Sequence, residues 1–273
     1  MLLITGSKGQ LGTCLSKLLP EAVCADVDEL DITNEDAVCN FVRKNNIDTI
    51  INCAAYTAVD KAEDDASLAE KINVLGITNL AKSGAKVIHI STDYVFDGTA
   101  HKPYAETDST NPQSVYGKTK LDGENALFSE AHTATVIRTA WLYSEYGNNF
   151  LKTMLRLGSE RKELGVVADQ VGTPTYAGDL AEAIVALLPH IKEGTKEIYH
   201  FSNEGVCSWY DFATAIMELG NRDCKVNPIS TKDYPARAAR PHYSVLDKSK
   251  IKNTLGIKIP HWRESLKKCI NQF

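Results

Sequence analysis

Short apolar runs alternate with amphipathic stretches through the first half of the chain. Leu2-Leu3-Ile4-Thr5 reads as a buried strand ending at Gly6. Leu11, Leu15, Leu18 and Leu19 then recur at helical spacing as far as Pro20. Val23-Cys24-Ala25-Asp26 predicts a second strand. Thr33-Asn34-Glu35-Asp36 marks a helix start, with Ala37, Val38, Phe41 and Val42 as the apolar face. Asp48–Cys53 predicts a third strand, a helix follows over Ser67–Ser83, and Lys86–Ser91 predicts a fourth strand. Residues 92–113 form a long polar loop with Gly98, Pro103 and Pro112. Loops of that length inside compact domains are usually functional. A helix over Ser114–Ser129 and a strand over Ala134–Arg138 complete the run.

Strands alternating with helices predict a doubly wound α/β fold of Rossmann type, with a parallel sheet covered on both faces. Beyond about residue 145 the rhythm loosens. Helical stretches at 148–159, 176–189 and 208–219 alternate with short extended pieces and proline-bearing loops. Residues 1–145 read as a nucleotide-binding core. Residues 146–273 read as a smaller mixed α/β, substrate-facing portion, some strands of which could rejoin the main sheet.

Composition narrows the function classes. Of 273 residues, 43% are hydrophobic and 24% charged, which excludes a disordered or collagen-like chain. A net charge of −5 leaves no electrostatic footprint for nucleic acid or an anionic membrane. No run approaches the roughly 20 apolar residues of a membrane span, and the apolar run at the start is too short for a signal peptide. The seven cysteines are odd in number and include no C-x-x-C pair. They predict buried thiols in a reducing cytoplasm rather than a disulfide or zinc framework.

Four motifs carry chemistry. Gly6-Ser7-Lys8-Gly9-Gln10-Leu11-Gly12 is a G-x-x-G-x-x-G loop between a strand and a helix. Glycines let the backbone turn tightly beneath a pyrophosphate, which sits on the helix N-terminus. Asp26 stands at the end of the second strand, where an acid hydrogen-bonds the adenosine ribose 2′-hydroxyl. Val27, Asp28 and Glu29 follow, with no arginine for a 2′-phosphate, so NADH is expected over NADPH. Tyr116-Gly117-Lys118-Thr119-Lys120 puts Tyr116 and Lys120 on one helix face. A cation there would lower the tyrosine pKa toward working pH and make Tyr116 an acid/base for an alcohol–ketone pair. Ser91-Thr92-Asp93 leaves the fourth strand at the sheet's carboxyl edge, where open α/β sheets bind ligands. Arg237, Arg240 and His242 add positive charge suited to a diphosphate, or belong to a solvated loop.

With these residues assembled, the chain resembles the extended short-chain dehydrogenase/reductases, and within them the dTDP-4-dehydrorhamnose reductase family. The narrower likeness rests on Asn52–Glu63, Ser91–Gly98, Tyr116–Lys120 and Arg138–Tyr143. It continues in Gly147–Phe150, Asp169–Thr175, Ala239–Pro241 and Ser244–Lys248. The resemblance implies an NAD(P)-binding domain over residues 1–145 and a substrate-binding portion over 146–273. It implies reduction of the C4 ketone of dTDP-6-deoxy-L-lyxo-4-hexulose to dTDP-L-rhamnose by a nicotinamide cofactor. Tyr116 would donate the proton, Lys120 would hold the nicotinamide ribose, and Thr92 would bond the reacting oxygen. Gln10 and Leu11 would meet the pyrophosphate through their backbone, beside Gly6, Gly9 and Gly12. Asp31 and Ile32 would meet adenine, although as bare residues they are equally a turn and a core position. Ala54, Ala55 and Tyr56 would line the nicotinamide. Asp93, Trp141 and Arg240 would join Thr92 around the dTDP-sugar.

Some members carry a magnesium-bridged dimer built on carboxylates. The start of the first helix here, Leu11-Gly12-Thr13-Cys14, has none, so no metal is expected, while a homodimer stays open. The segment Asn79–Ala85 is about one turn shorter than the family's helix. A 4,6-dehydratase would need a Glu directly after Asp93, where Tyr94 stands. Another nucleotide-sugar reductase or epimerase remains an alternative, as does a non-catalytic subunit resembling the regulatory subunit of methionine adenosyltransferase.

Overall fold

Leu3 and Ile4 are neighbours on the first strand and both are fully buried, yet they belong to different cores. Successive strand residues point to opposite faces. The same split recurs at Ile50 and Ile51, Val87 and Ile88, and Val136 and Ile137. Both faces of the sheet are therefore covered, which is why its strands read as unbroken apolar runs.

The computed structural model describes residues 1–273. Its six-stranded sheet comprises β1 (Leu2–Thr5), β2 (Val23–Ala25), β3 (Thr49–Asn52), β4 (Lys86–Thr92), β5 (Ala134–Thr139) and an edge strand Lys196–His200. The spatial order is β2-β1-β3-β4-β5 and then the edge strand, with every neighbouring pair parallel. The Rossmann-type α/β expectation holds. The edge strand and the helix Ala177–Leu187 come from beyond residue 145 yet build the main sheet and its cover.

On one face, α1 (Gln10–Leu18) and Ala177–Leu187 pack side by side over Ile4, Ile51, Ile88 and Ile137. On the other, α2 (Glu35–Lys44) and the helices Gly76–Lys82 and Val115–Glu130 bury Val38, Leu80 and Leu127 against Leu3 and Ile50. Asn34 caps α2 by accepting from the Ala37 N–H at 3.0 Å, as the sequence signal required. A third core forms around Phe212, Leu151, Ile216 and Leu266, between the helices Phe150–Glu160, Trp209–Leu219 and Trp262–Ile270. No helix is long and apolar enough to cross a membrane.

Strand ends differ from expectation for one reason, pairing. β4 and β5 each run one residue further because Thr92 pairs with Thr139. β2 stops at Ala25, opposite the last residue of β1. The helix predicted over Ser67–Ser83 is present as Ala66–Glu70 and Gly76–Lys82, joined by a π turn over Lys71–Leu75. π turns tend to mark functional sites, and this one carries the buried Asn73.

The topology places the site. The chain leaves β1 to one side for β2 and returns on the other side for β3. The crevice at the carboxyl end of that switch point is where such sheets bind ligands. Gly6, Asp26, Ala54, Asp93 and Trp141 follow β1 to β5 at that same edge.

Candidate active site

The glycine loop closes on itself. Gly9 N–H donates to Gly6 O at 3.1 Å, and Gly6 has φ +62°. A Cβ on Gly6 would lie 2.6 Å from Ala54 N, and one on Gly12 only 2.2 Å from Gly6 O. The loop must therefore stay backbone alone, wedged between the ends of β1 and β3. Gly9 caps α1 with no side-chain hydrogen bond, so the first N–H groups of α1 stay free for an anion. That cradle fits a dinucleotide pyrophosphate. The Gln10 side chain is occupied elsewhere: its Oε1 accepts from Ser144 Oγ at 3.1 Å and Asn149 Nδ2 at 2.8 Å. Only its backbone, like that of Leu11, is available to the cradle.

Asp26 accepts the Lys8 N–H at 3.0 Å, so the acid at the end of β2 is tied to the loop. Lys8 Nζ reaches Asp28 and Glu29 at 3.2 and 3.0 Å. A cation thus stands beside Asp26 although no arginine follows it. It comes from the glycine loop, eighteen residues before Asp26 in the chain. Asp31 accepts from Thr33 N–H and Oγ1 in a turn, and Ile32 is buried against Gly76, the turn and core positions open from the sequence.

Beyond β3, Tyr56 is clamped at both backbone groups. Asn73 Oδ1 accepts its N–H at 2.9 Å, and Asn73 Nδ2 donates to its carbonyl at 3.2 Å. Asn73 also donates to Thr119 Oγ1 at 3.1 Å, linking Ala54-Ala55-Tyr56 to the helix that carries Tyr116. Nothing in the apolar periodicity signals this role, because the π turn breaks that periodicity.

Tyr116 reaches the end of β4 through Gly117. Ser114 caps the helix by accepting the Gly117 N–H at 3.1 Å. Gly117 then packs directly on the Tyr94 carbonyl, and the Tyr94 and Tyr116 rings meet edge to face at 5.5 Å. Desolvation pushes the Tyr116 hydroxyl well above its ordinary pKa, and the Thr92 hydroxyl opposes the shift. Asp93 is buried, with its carboxyl pushed up to about 6 by desolvation. Thr92 donates to its Oδ1 at 3.0 Å. The Thr92 and Ser244 hydroxyls oppose the shift, yet Oδ2 keeps no partner of good geometry.

Lys120 departs from expectation. It shares the helix with Tyr116, but its ammonium position lies 2.6 Å from Ile90 O and 3.1 Å from His89 Nε2. The expected lowering of the Tyr116 pKa is absent here: burial dominates, and Lys120 does not act on the hydroxyl. Burial also lowers Lys120 itself, to about 8.

The outer wall comes from the later part of the chain. Trp141 has φ +49° and stacks on Trp209 at 3.7 Å; Gly172 leaves room for its ring, since a Cβ there would lie 2.7 Å away. A bulky residue at positive φ is strained, and such strain clusters at functional sites. Arg240 Nη1 donates to Tyr94 Oη at 3.2 Å, and its Nη2 pairs with Asp60. Asp60 Oδ1 also accepts the Arg237 and Ala238 N–H groups, while the Arg237 side chain pairs with Asp64. The basic segment is thus tied down over the site. Its carboxylate partners, Asp60 and Asp64, went unrecognised in the sequence.

The RmlD substrate binding domain model matches residues 1–273. A dTDP-4-dehydrorhamnose reductase of Aggregatibacter actinomycetemcomitans is 46% identical, over 97% of this chain and 97% of that one. The crystal structure of a dTDP-4-dehydrorhamnose reductase from Clostridium acetobutylicum superposes with TM-score 0.95 at 46% identity, covering 99% of this chain and 98% of that one. A dTDP-4-dehydrorhamnose reductase from Bacillus anthracis, in complex with NADP, gives TM-score 0.95 at 41% identity, covering 100% and 99%. Full-length agreement in sequence and fold, with the cradle and the Tyr116–Lys120 helix in place, shows that this chain belongs to the dTDP-4-dehydrorhamnose reductase family of nicotinamide-dependent oxidoreductases.

Proposed function

We propose that the chain reduces the C4 ketone of dTDP-6-deoxy-L-lyxo-4-hexulose to the secondary alcohol of dTDP-L-rhamnose, with Tyr116 as proton donor and NADH preferred over NADPH. The observation that carries this reading is the convergence of Tyr116, Thr92 and Asp93 at the end of β4, next to the glycine cradle.

The bound nicotinamide supplies the hydride. Tyr116 must be protonated to act as an acid, and desolvation keeps its hydroxyl protonated at neutral pH. Thr92 orients the carbonyl oxygen toward that hydroxyl. Lys120, once engaged with the ribose, would stabilise the tyrosinate left after proton transfer. The unpartnered Asp93 Oδ2 suits a sugar hydroxyl, because a buried acceptor gains most when a donor arrives. Arg240 takes the diphosphate, and Trp141 packs on the sugar nucleotide. Residues 1–145 supply the cofactor contacts through Gly6, Gly9, Gln10, Leu11, Gly12, Asp26, Asp31, Ile32, Ala54, Ala55 and Tyr56. Residues 146–273 supply the outer wall. Asp26 suits a ribose 2′-hydroxyl and, with Asp28 and Glu29, repels a 2′-phosphate, which supports NADH. The seven unpaired thiols support a cytoplasmic setting.

The test is NADH oxidation with the 4-keto sugar nucleotide generated in the assay, in wild type and Tyr116→Phe. Turnover should fall by about 10²–10⁴-fold in the variant, with cofactor binding retained. Near-normal turnover in Tyr116→Phe removes the assignment of the acid. No turnover in a folded, cofactor-binding wild type removes the assignment of the substrate.

A further inference from the structure

A buried polar chain runs beneath the site, from Thr5 on β1 through Asn52 on β3 and His89 on β4 to Lys120. Asn52 is its reference point. Its Nδ2 lies 3.3 Å from Ala54 O. A carbonyl can face only the N–H side of an amide, so this contact sets the amide's orientation. Asn52 Oδ1 then accepts from Thr5 Oγ1 at 2.6 Å. The second N–H of Nδ2 points to His89 Nδ1 at 2.9 Å, and Nδ1 must accept it.

The proton count follows. His89 has no exposure, and desolvation alone, the largest cause, holds it neutral. A neutral imidazole that accepts at Nδ1 carries its proton on Nε2. Nε2 faces Lys120 Nζ at 3.1 Å. An ammonium has no lone pair, so an ammonium against this N–H would place donor on donor. An amine resolves the contact, accepting from Nε2–H while donating to Ile90 O at 2.6 Å.

Charge balance agrees. The groups acting on Lys120 are Glu124 and Cys53. Glu124 is already bound by Arg138, Nε to Oε1 at 3.0 Å and Nη2 to Oε2 at 2.7 Å, and by the Ser91 hydroxyl. The Cys53 thiol is raised by desolvation and stays neutral, as does the Tyr116 hydroxyl above the same helix turn. An ammonium at Lys120 would be a buried charge with no free counterion.

We infer that Lys120 is a neutral amine in the cofactor-free protein, held by the Nε2–H of His89, and that it takes one proton from solvent when the dinucleotide binds. His89 is then a positioning residue: it parks the lysine away from Tyr116 until an anionic ligand makes the charge favourable. Burial pushes the Lys120 pKa down in the same direction, to about 8, so the amine prevails above that pH. This inference rests on the reading of Lys120 as the ribose-binding lysine, but its test does not use turnover.

The first measurement is the ¹⁵N spectrum of histidine-labelled, cofactor-free protein. At about pH 8.5 it should contain a ring protonated at Nε2 and bare at Nδ1, which is missing in His89→Gln. Should His89→Gln fail to fold, Lys120→Met assigns the same ring by shifting its resonances. The second is calorimetry of NADH binding at about pH 8.5 in buffers of different ionisation enthalpy. Wild type should take up a proton approaching one per cofactor, and its affinity should weaken as pH rises. In His89→Gln the amide oxygen can accept from an ammonium, so Lys120 is charged beforehand and uptake should fall toward zero. A His89 ring protonated at Nδ1, or NADH binding in wild type without proton uptake, overturns the inference. Absence of NADH binding instead overturns the functional reading.

Discussion

Gly117 lies so close to Tyr94 that a Cβ on the glycine would stand 2.3 Å from the Tyr94 carbonyl oxygen. That contact seats the Tyr116 helix on the end of β4, so the spacing of the proton donor from Thr92 depends on a missing side chain. Gly117→Ala should force the helix outward. Overpacking of this kind costs about 1–3 kcal/mol, and displacement of the donor adds a loss of roughly 10²-fold in kcat. Urea denaturation and steady-state kinetics measure the two effects. Unchanged kcat in Gly117→Ala would show that the helix position is not set by this contact.

Asp93 predicts a pH-dependent stability. Its folded pKa, about 6, lies above the unfolded value of 3.8. Below both values the carboxyl is protonated in either state, and its stabilising contribution is fully present. As pH rises from about 4 to 6 the unfolded chain ionises first, and that contribution is lost. Each pKa unit is worth about 1.4 kcal/mol, so the loss is about 3 kcal/mol by neutral pH. Asp93→Asn removes the ionisation. The stability difference between variant and wild type should therefore shift in the variant's favour by up to about 3 kcal/mol between pH 4 and pH 7. The same change should lower kcat/KM by about 10–100-fold, through loss of the charged acceptor. A stability difference that stays flat with pH would mean that Asp93 titrates normally.

Much of the fold was legible because buried parallel strands have an unmistakable composition. Ile50-Ile51 and Val87-Ile88 can bury both faces only in a covered sheet, and the glycine loop follows the equally apolar strand Leu2–Thr5. Tyr116 and Lys120 were legible because helix geometry puts i and i+4 on one face. The direction of the Lys120 stem was not, since spacing says nothing of where a flexible four-carbon chain turns. Asn52 and His89 lie inside runs that read as apolar strands; a buried polar residue in such a run needs partners, and that was the available signal. The Arg240–Asp60 pair joins residues 180 apart, and only the folded chain brings them together.

Lys8 bears on cofactor choice. It is exposed, and its ammonium is shared between Asp28 and Glu29 beside Asp26. With NADH the cluster needs no change. With NADPH the 2′-phosphate would have Lys8 as its cation and two acids as competitors. Lys8→Ala should weaken NADPH several-fold more than NADH, since exposed pairs are screened and modest. The double variant Asp28→Asn, Glu29→Gln should narrow or reverse the NADH preference. Both follow from KM values for the two cofactors at low and high salt, and the differences should shrink at high salt. Equal effects on both cofactors would place the 2′ position elsewhere.

Asp60 holds the basic segment in place by three bonds of two kinds. Its Oδ1 accepts the Arg237 and Ala238 N–H groups, and its Oδ2 takes the Arg240 guanidinium. Asp60→Asn keeps an acceptor for the two backbone groups but removes the charge that holds Arg240. If Arg240 serves the substrate diphosphate, the freed guanidinium should bind it at least as well, and KM for the dTDP-sugar should hold or fall. Asp60→Ala removes all three bonds and loosens the segment, so KM for the dTDP-sugar should rise by about 10-fold or more. Cofactor KM should stay unchanged in both, because Asp60 touches none of the cradle. Opposite responses of substrate KM to Asn and Ala separate anchoring of the backbone from capture of the guanidinium. A rise of the same size in both would make the Arg240 ion pair itself the feature that the substrate needs.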